Sequence, residues 1–352
     1  MIMKRFTLGL AAALLTCTGA AAQAPVSFEG KTITVVVGFA AGGGTDVSAR
    51  LIAPYLAKYL PGAPKVIVQN RPGADGLIAA NYFAQQVKPD GLEFMVGAST
   101  ITDPVNYRKP EAHYDPTKWA WIGGIGRGGS VLIISKEGEK KLFDKKLEPA
   151  VMGSLGGTPH STQQATAWGI EFLGWNAKWV TGYRGTPDVF ISLERGEIDM
   201  SGTGNVQLIN RLTETGLFKV LVQTGTLSEG KIVSRSEFGK DVPMFAKLME
   251  GKIKDPIAQK GFDYWYALLT TDKWVALPPN TPQPIVDAYR AAFNKLFTDA
   301  EFIEKAKKVS EDFELQRASD MEATVKTLGD TPPEALTYIS TMLRKQGLGS
   351  EH

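Results

Sequence analysis

Residues 33–39 read ITVVVGF, an apolar and mostly β-branched run that leads directly into Ala40-Ala41-Gly42-Gly43-Gly44. A strand apolar on both faces needs cover on both sides, which is the position of a parallel strand between helix layers. The stretch 46–60 then takes helical spacing, 65–69 (KVIVQ) reads as a second strand, 76–87 as a second helix and 93–98 as a third strand. Strand–helix–strand units at this spacing build a parallel sheet through right-handed crossovers.

The rhythm restarts at 131–135 (VLIIS), followed by a lysine-rich polar stretch over 136–146. Further strands are expected at 150–154, 179–182, 198–201 and 219–223, with helices between them. A returning strand is expected at 264–269, and the chain from 284 onward reads as helical. Segment 229–261 lacks clear periodicity and is expected to be an irregular insertion. At roughly 150 residues per domain, 352 residues make two domains. The expected division is 27–126 with 265–352 as lobe 1, and 127–264 as lobe 2, the chain crossing near Arg127 and again near Tyr264.

Residues 1–22 read as a secretory signal: Lys4 and Arg5, a short apolar run over 6–16, then small residues up to a cleavage point near Ala22. That predicts a periplasmic protein. The single cysteine, Cys17, falls inside this leader, so the mature chain is expected to have no disulfide, thiol nucleophile or cysteine-ligated metal. With 39 Lys and Arg against 37 Asp and Glu, the balanced charge argues against nucleic acid as a partner.

The glycine loop lies at the carboxyl end of the first strand, where open α/β sheets bind ligands. Successive glycines allow backbone N–H groups to converge, and the helix start adds unpaired donors and a partial positive charge. The same residues also read as a tight turn in which Thr45 or Asp46 caps the helix. A phosphate-binding loop would need a lysine that is missing here. A dinucleotide loop would need glycine where Val47 stands, and Asp46 would repel a pyrophosphate. A carboxylate is the anion that fits.

Several motifs then follow in order: Ala49-Arg50, Asn70-Arg71-Pro72-Gly73-Ala74, Pro89-Asp90-Gly91, GSLGGTPH over 153–160, YRGTPD over 183–188 and RGEIDMSGTG over 195–204. Together with the glycine loop, and across about residues 31–282, the chain resembles the extracytoplasmic solute receptors of tripartite tricarboxylate transporters, the Bug family. The resemblance implies a type II periplasmic-binding-protein fold, two Rossmann-like lobes around a ligand cleft. It also implies capture of a small organic carboxylate, no cofactor, no catalytic residue, a monomer, and delivery to membrane transporter subunits. On the first lobe it assigns the ligand to Phe39, Ala41, Gly42, Gly43, Gly44, Thr45 and Asp46, with Ala74, Asp75, Ser99 and Thr100. On the second it assigns Gly156, Gly157, Thr158, Tyr183, Arg184 and Asp199.

Three departures from the family pattern stand out. Ala40 and Ala41 replace Pro-containing sequence, and Pro54 inside the first helix predicts a kink or a lost hydrogen bond. Asp75 replaces a small residue. Facing the cleft, it would disfavour a second ligand carboxylate unless Arg71 or Arg127 intervenes; facing solvent, it is a turn residue.

Other residues carry less. His113, His160 and His352 have no metal-ligand spacing, and His160 reads as a cap. Ser154, His160 and Asp199 make a nominal triad without a nucleophile elbow. Trp168, Trp175, Trp179 and Trp265 read as packing, with stacking on an aromatic ligand the alternative. Lys136, Lys140, Lys141, Lys145 and Lys146 read as a solvated face or as a docking patch for a membrane partner. The expected function is a periplasmic receptor feeding a transporter. A receptor that signals to a membrane sensor is the alternative, and an enzyme the third reading.

Overall fold

The computed structural model describes residues 25–126, 128–154, 161–183, 186–228, 231–238, 241–309 and 313–349. The expected leader, residues 1–22, and its expected cleavage point therefore lie outside the described residues. The first lobe opens with β1 (Thr32–Val37), α1 (Gly44–Tyr59), β2 (Lys65–Asn70), α2 (Leu77–Gln85), β3 (Glu93–Ala98), the single turns α3 (Ser99–Thr102) and α4 (Pro104–Tyr107), and β4 (Ala120–Gly126). The chain then crosses to β5 (Val131–Ser135), α5 (Lys136–Phe143), β6 (Ala150–Gly153), α6 (Gln164–Leu173), β7 (Ala177–Val180), α7 (Thr186–Glu194), β8 (Met200–Thr203), α8 (Val206–Glu214) and β9 (Phe218–Gln223). A hairpin of β10 (Thr226–Ser228) and β11 (Lys231–Val233) leads to α9 (Phe245–Met249) and α10 (Pro256–Thr270). The return is β12 (Thr271–Leu277), followed by α11 (Gln283–Lys295), α12 (Ala300–Val309), β13 (Glu314–Arg317), α13 (Ala318–Gly329) and α14 (Pro333–Lys345).

Two sheets result. The first has the order β13-β4-β12-β3-β1-β2 and the second β7-β6-β8-β5-β9. Apart from the added edge strand β13, the orders match: each sheet has one antiparallel strand, β12 or β5, wedged between parallel neighbours. The β-branched run of β1 is covered on both faces as its composition requires: Val35 and Val37 pack toward α1 and α11, and Val36 toward α2 and the Trp119–Trp121–Trp274 cluster.

The expected returning strand at 264–269 is instead the last part of α10. Asp255 caps that helix by accepting the Ile257 N–H at 2.8 Å, Pro256 opens it, and Ala258, Phe262, Trp265, Tyr266 and Leu269 bury one face at helical spacing. The aromatic composition of WYALL favours a strand, but the capped start and tertiary packing decide for a helix. The strand begins at Thr271. Segment 229–261, expected to be irregular, contains β11, α9 and the start of α10. The lysine-rich stretch begins with a capped helix, α5, in which Ser135 Oγ accepts the Gly138 N–H at 2.9 Å. Helix α1 runs through Pro54 as one element. Helix α14 packs on α10 and α6, and its Ile339, Met342 and Leu343 share a core with β5, β6 and β8. No helix among the described residues is long and apolar enough to cross a membrane.

Candidate functional site

The carboxyl ends of β1, β2 and β3 lie side by side, and the turns leaving them touch. A Cβ on Gly38 would stand 3.0 Å from the Gly76 Cα, and one on Gly76 would stand 2.7 Å from Ile101 Cδ1. Both positions therefore need glycine for close approach. Thr100 Oγ1 donates to the Asp75 carbonyl at 3.4 Å, tying the second turn to the third. This strand-end platform brings together Phe39, Ala41, Gly42, Gly43, Gly44, Thr45, Asp46, Ala74, Asp75, Ser99 and Thr100.

In the glycine loop, side chains do the holding. The Asp46 carboxylate is buried, accepting the Gly42 N–H at 2.8 Å, Arg50 Nε at 2.9 Å and Asn70 Nδ2 at 2.9 Å. Asn70 Nδ2 also donates to the Phe39 carbonyl at 2.9 Å, and its Oδ1 accepts Arg50 Nη2 at 3.2 Å. The hydrogen bond from Arg50, with those from Gly42 and Asn70, brings the Asp46 pKa down to about 2. The Asp46 side chain faces inward as the clamp of the loop, while its backbone N–H stays at the helix start. Its charge is neutralised there, so it adds little repulsion toward an anion.

The N–H groups of Gly44, Thr45 and Asp46 precede the first helical bond of α1, from the Val47 N–H to the Gly43 carbonyl at 2.9 Å. The N-cap is Gly43, which has no side chain to cap them. Three backbone donors and the positive end of a 16-residue helix thus stand at the mouth of the sheet.

The neighbouring turn is built differently. Gly73, Ala74, Asp75 and Gly76 all have positive φ, at 141°, 47°, 52° and 93°. Left-handed Ala74 and Asp75 each cost on the order of 1 kcal/mol. The Asp75 side chain is exposed and, among the described residues, makes no hydrogen bond or ion pair. Arg71, expected as a possible counter-charge, lies with its guanidinium 3.7 Å from the centre of the Tyr82 ring.

On the second lobe, Gly156, Gly157, Thr158, Arg184, His160 and Arg127 lie outside the described residues. Tyr183, beyond the end of β7, packs against the small core that includes Val189 and Phe190 of α7. Asp199 requires a correction. It sits at the amino end of β8, where its carboxylate takes Lys141 Nζ at 3.0 Å and the Val151 N–H at 2.8 Å. Ligand-facing ends of parallel β6 and β8 are the opposite ones, so Asp199 is a structural clamp. Ser154 lies three residues beyond Val151, about 10 Å along the strand from the Asp199 carboxylate, and His160 lies outside the described residues. Among the described residues no three His, Cys, Asp or Glu side chains cluster as a metal would require.

No family model matches the sequence. The chain is 36% identical over 120 residues to a UPF0065 protein encoded in the gbd 5′ region of Cupriavidus necator, a match spanning about a third of each protein. It is 27% identical over 294 residues to a UPF0065 protein from the TAR-I ttuE-ttuC′ intergenic region of Agrobacterium vitis, covering 81% of this chain and 76% of the relative. The fold matches a TctC solute-binding protein from Polaromonas, solved without ligand, with a TM-score of 0.65 at 20% identity over 91% of this chain and all of that one. It also matches Rpa4515 of Rhodopseudomonas palustris, solved with adipate, at 0.50 and 21% over 91% and 98%. The chain is similar in sequence to UPF0065 proteins.

Its fold is that of a TctC-type solute-binding protein, as the motif resemblance implied. The residue that sequence reasoning missed is Asn70. Its place in the Asn-Arg-Pro-Gly turn was visible, but its grip on Phe39 and Asp46 depends on β1 and β2 lying in register, with Val37 opposite Asn70.

Proposed function

We propose that the protein is a periplasmic receptor that captures a small organic carboxylate between its two lobes and delivers it to a tripartite tricarboxylate-type membrane transporter. The observation that carries this reading is the uncapped start of α1. Gly44, Thr45 and Asp46 offer backbone N–H groups where three strand ends meet, while Asp46 turns its charge inward onto Arg50 and Asn70. Such a site holds a carboxylate without a basic side chain. The adipate in Rpa4515, a protein of the same fold, supports the ligand class. Thr158 and Gly156 to Gly157 would meet the ligand from the second lobe, with Tyr183 and Arg184 beside them. Closure then follows from a ligand that contacts both lobes and so binds the closed form more tightly.

Thermal-shift screening and calorimetry with C3–C6 mono- and dicarboxylates test the proposal. A true ligand at a hundredfold its dissociation constant stabilises by about 2.7 kcal/mol. Gly43→Val is the matched variant. Gly43 has φ −73°, and a Cβ there meets only the Ala40 carbonyl at 3.2 Å, so the fold tolerates it while the donor face is crowded. Binding should be lost with the fold retained. Undiminished affinity in Gly43→Val removes the glycine loop from the site.

A further inference from the structure

Two passages connect the strands of the two sheets, and the C-terminal helix α14 then packs back onto the second lobe. The chain leaves the first sheet after Gly126 and re-enters at Thr271, which pairs with Gly126. The two passages are fastened on opposite sides. The outgoing one is tied to the second lobe: the Ser130 N–H donates to Thr224 Oγ1 at 3.0 Å, the Thr224 N–H to the Ser130 carbonyl at 2.8 Å, and Arg235 to the Gly128 carbonyl. The return is tied to the first lobe by Tyr264 Oη, which donates to Asp103 at 3.0 Å, by Thr271 Oγ1, 3.8 Å from Met321 Sδ, and at the junction itself by Gln316. Gln316, only 1% exposed on β13, donates from Nε2 to the Thr270 carbonyl at 2.8 Å and accepts Thr271 Oγ1 on Oε1 at 3.0 Å.

To reach that junction the carboxamide crosses the intervening strand β4. It can do so because Gly124 and Gly126 have no side chains: a Cβ on Gly124 would stand 3.2 Å from Gln316 Oε1, and one on Gly126 3.2 Å from Nε2. Before the junction, α10 is buried with the second lobe through Phe262, Trp265 and Leu269. After it, Trp274 and Val275 lie in the cores of the first. Two residues earlier on the same face of β13, Glu314 accepts Thr226 Oγ1 of the β10–β11 hairpin at 2.5 Å.

We propose that Gln316 is the hinge pin of the receptor, a positioning residue that fixes the return passage at Thr270–Thr271 to the first lobe and so sets the range over which the lobes swing. A buried carboxamide satisfied on both ends holds a unique geometry, and an apolar replacement leaves the Thr270 carbonyl without its donor. The proposal takes from the receptor reading only the idea that the lobes close, and its test needs no ligand.

The test is pulsed electron paramagnetic resonance on the full chain in a Cys17→Ser background, with spin labels on Gln85→Cys and Lys178→Cys, one exposed position in each lobe. In ligand-free protein, Gln316→Leu should broaden the distance distribution about twofold or shift its centre, because the swing is no longer limited at the junction. Thr271→Val, which removes one of the two hydrogen bonds, should move the distribution the same way by less. A side chain that is merely structural would lower the thermal midpoint and leave the distances alone, and that result overturns the proposal. Should Gln316→Leu not fold, Thr271→Val decides alone: an unchanged distribution contradicts the hinge pin. A site that binds no carboxylate leaves this measurement untouched.

Discussion

Two turns leave neighbouring strands at the platform, and each contains an aspartate with a different task. After β1, Asp46 is buried and held by Gly42, Arg50 and Asn70, and the chain around it needs left-handed backbone only at Gly42. After β2, Asp75 is exposed on a backbone that is left-handed through four residues, two of them not glycine. The first turn derives its shape from side-chain hydrogen bonds and presents backbone. The second derives its shape from its glycines and its contact with α3, and presents a charge. A carboxyl group near a ligand is thus a structural part or a chemical one according to its donors. Proximity alone does not decide.

The comparison breaks most visibly at Asp46. Asp46→Ala removes three hydrogen bonds and leaves the Gly42 N–H and Arg50 Nε without their acceptor, so stability should fall by about 2–4 kcal/mol by chemical denaturation. Carboxylate binding should be lost with it. Asp75→Ala, at an exposed carboxylate, should change stability by less than about 1 kcal/mol.

Acid sharpens the same contrast. The Asp46 pKa is depressed to about 2, so its contribution to stability is complete above the unfolded value near 3.9 and is lost as pH falls through about 2. Protection of the Gly42 amide, whose N–H is held by that carboxylate, should therefore hold down to about pH 4, relative to the intrinsic exchange rate, and be lost as pH falls toward about 2. Asp46→Asn should abolish this dependence. Arg50 is half exposed, so added salt should weaken the effect.

Asp75 should act on selectivity instead. Facing the cleft, its charge disfavours a second ligand carboxylate, because Arg71 is stacked on Tyr82. Asp75→Asn should then improve dicarboxylate affinity by about three- to tenfold relative to monocarboxylates of equal length, the exposed charge being partly screened. Equal affinities before and after the change assign the residue to the turn alone. The smallest effect belongs to Ala74→Gly. It relieves one left-handed residue but raises the entropy of the unfolded chain, so stability should stay within about 1 kcal/mol of the parent.

Much of this architecture was legible in local pattern. The run of β1, the glycine loop and the alternation through β3 are signals carried by consecutive residues. What escaped depends on distant partners. The stretch Tyr264–Leu269 reads as a strand until the cap at Asp255 and the burial of Phe262 and Trp265 in the second lobe are known. The clamp role of the Asp46 side chain escaped because its partner Asn70 is 24 positions away. Asp199 reads as a site residue because nothing local shows which end of β8 it occupies, or that Lys141 pairs with it. Gln316 gives no sequence signal: its reach depends on two glycines in β4, next to it in the sheet but nearly 200 residues away in the chain.

A crystal structure of the protein with the carboxylate that stabilises it most tests the central claim directly. A carboxylate oxygen should lie about 2.7–3.2 Å from the backbone nitrogens at the start of α1, Gly44 to Asp46, with Asp46 still bound to Arg50 and Asn70. A carboxylate bound away from that helix start, for example in the hollow of about 730 Å³ along β9 between Phe143, Trp175 and Leu248, would contradict it.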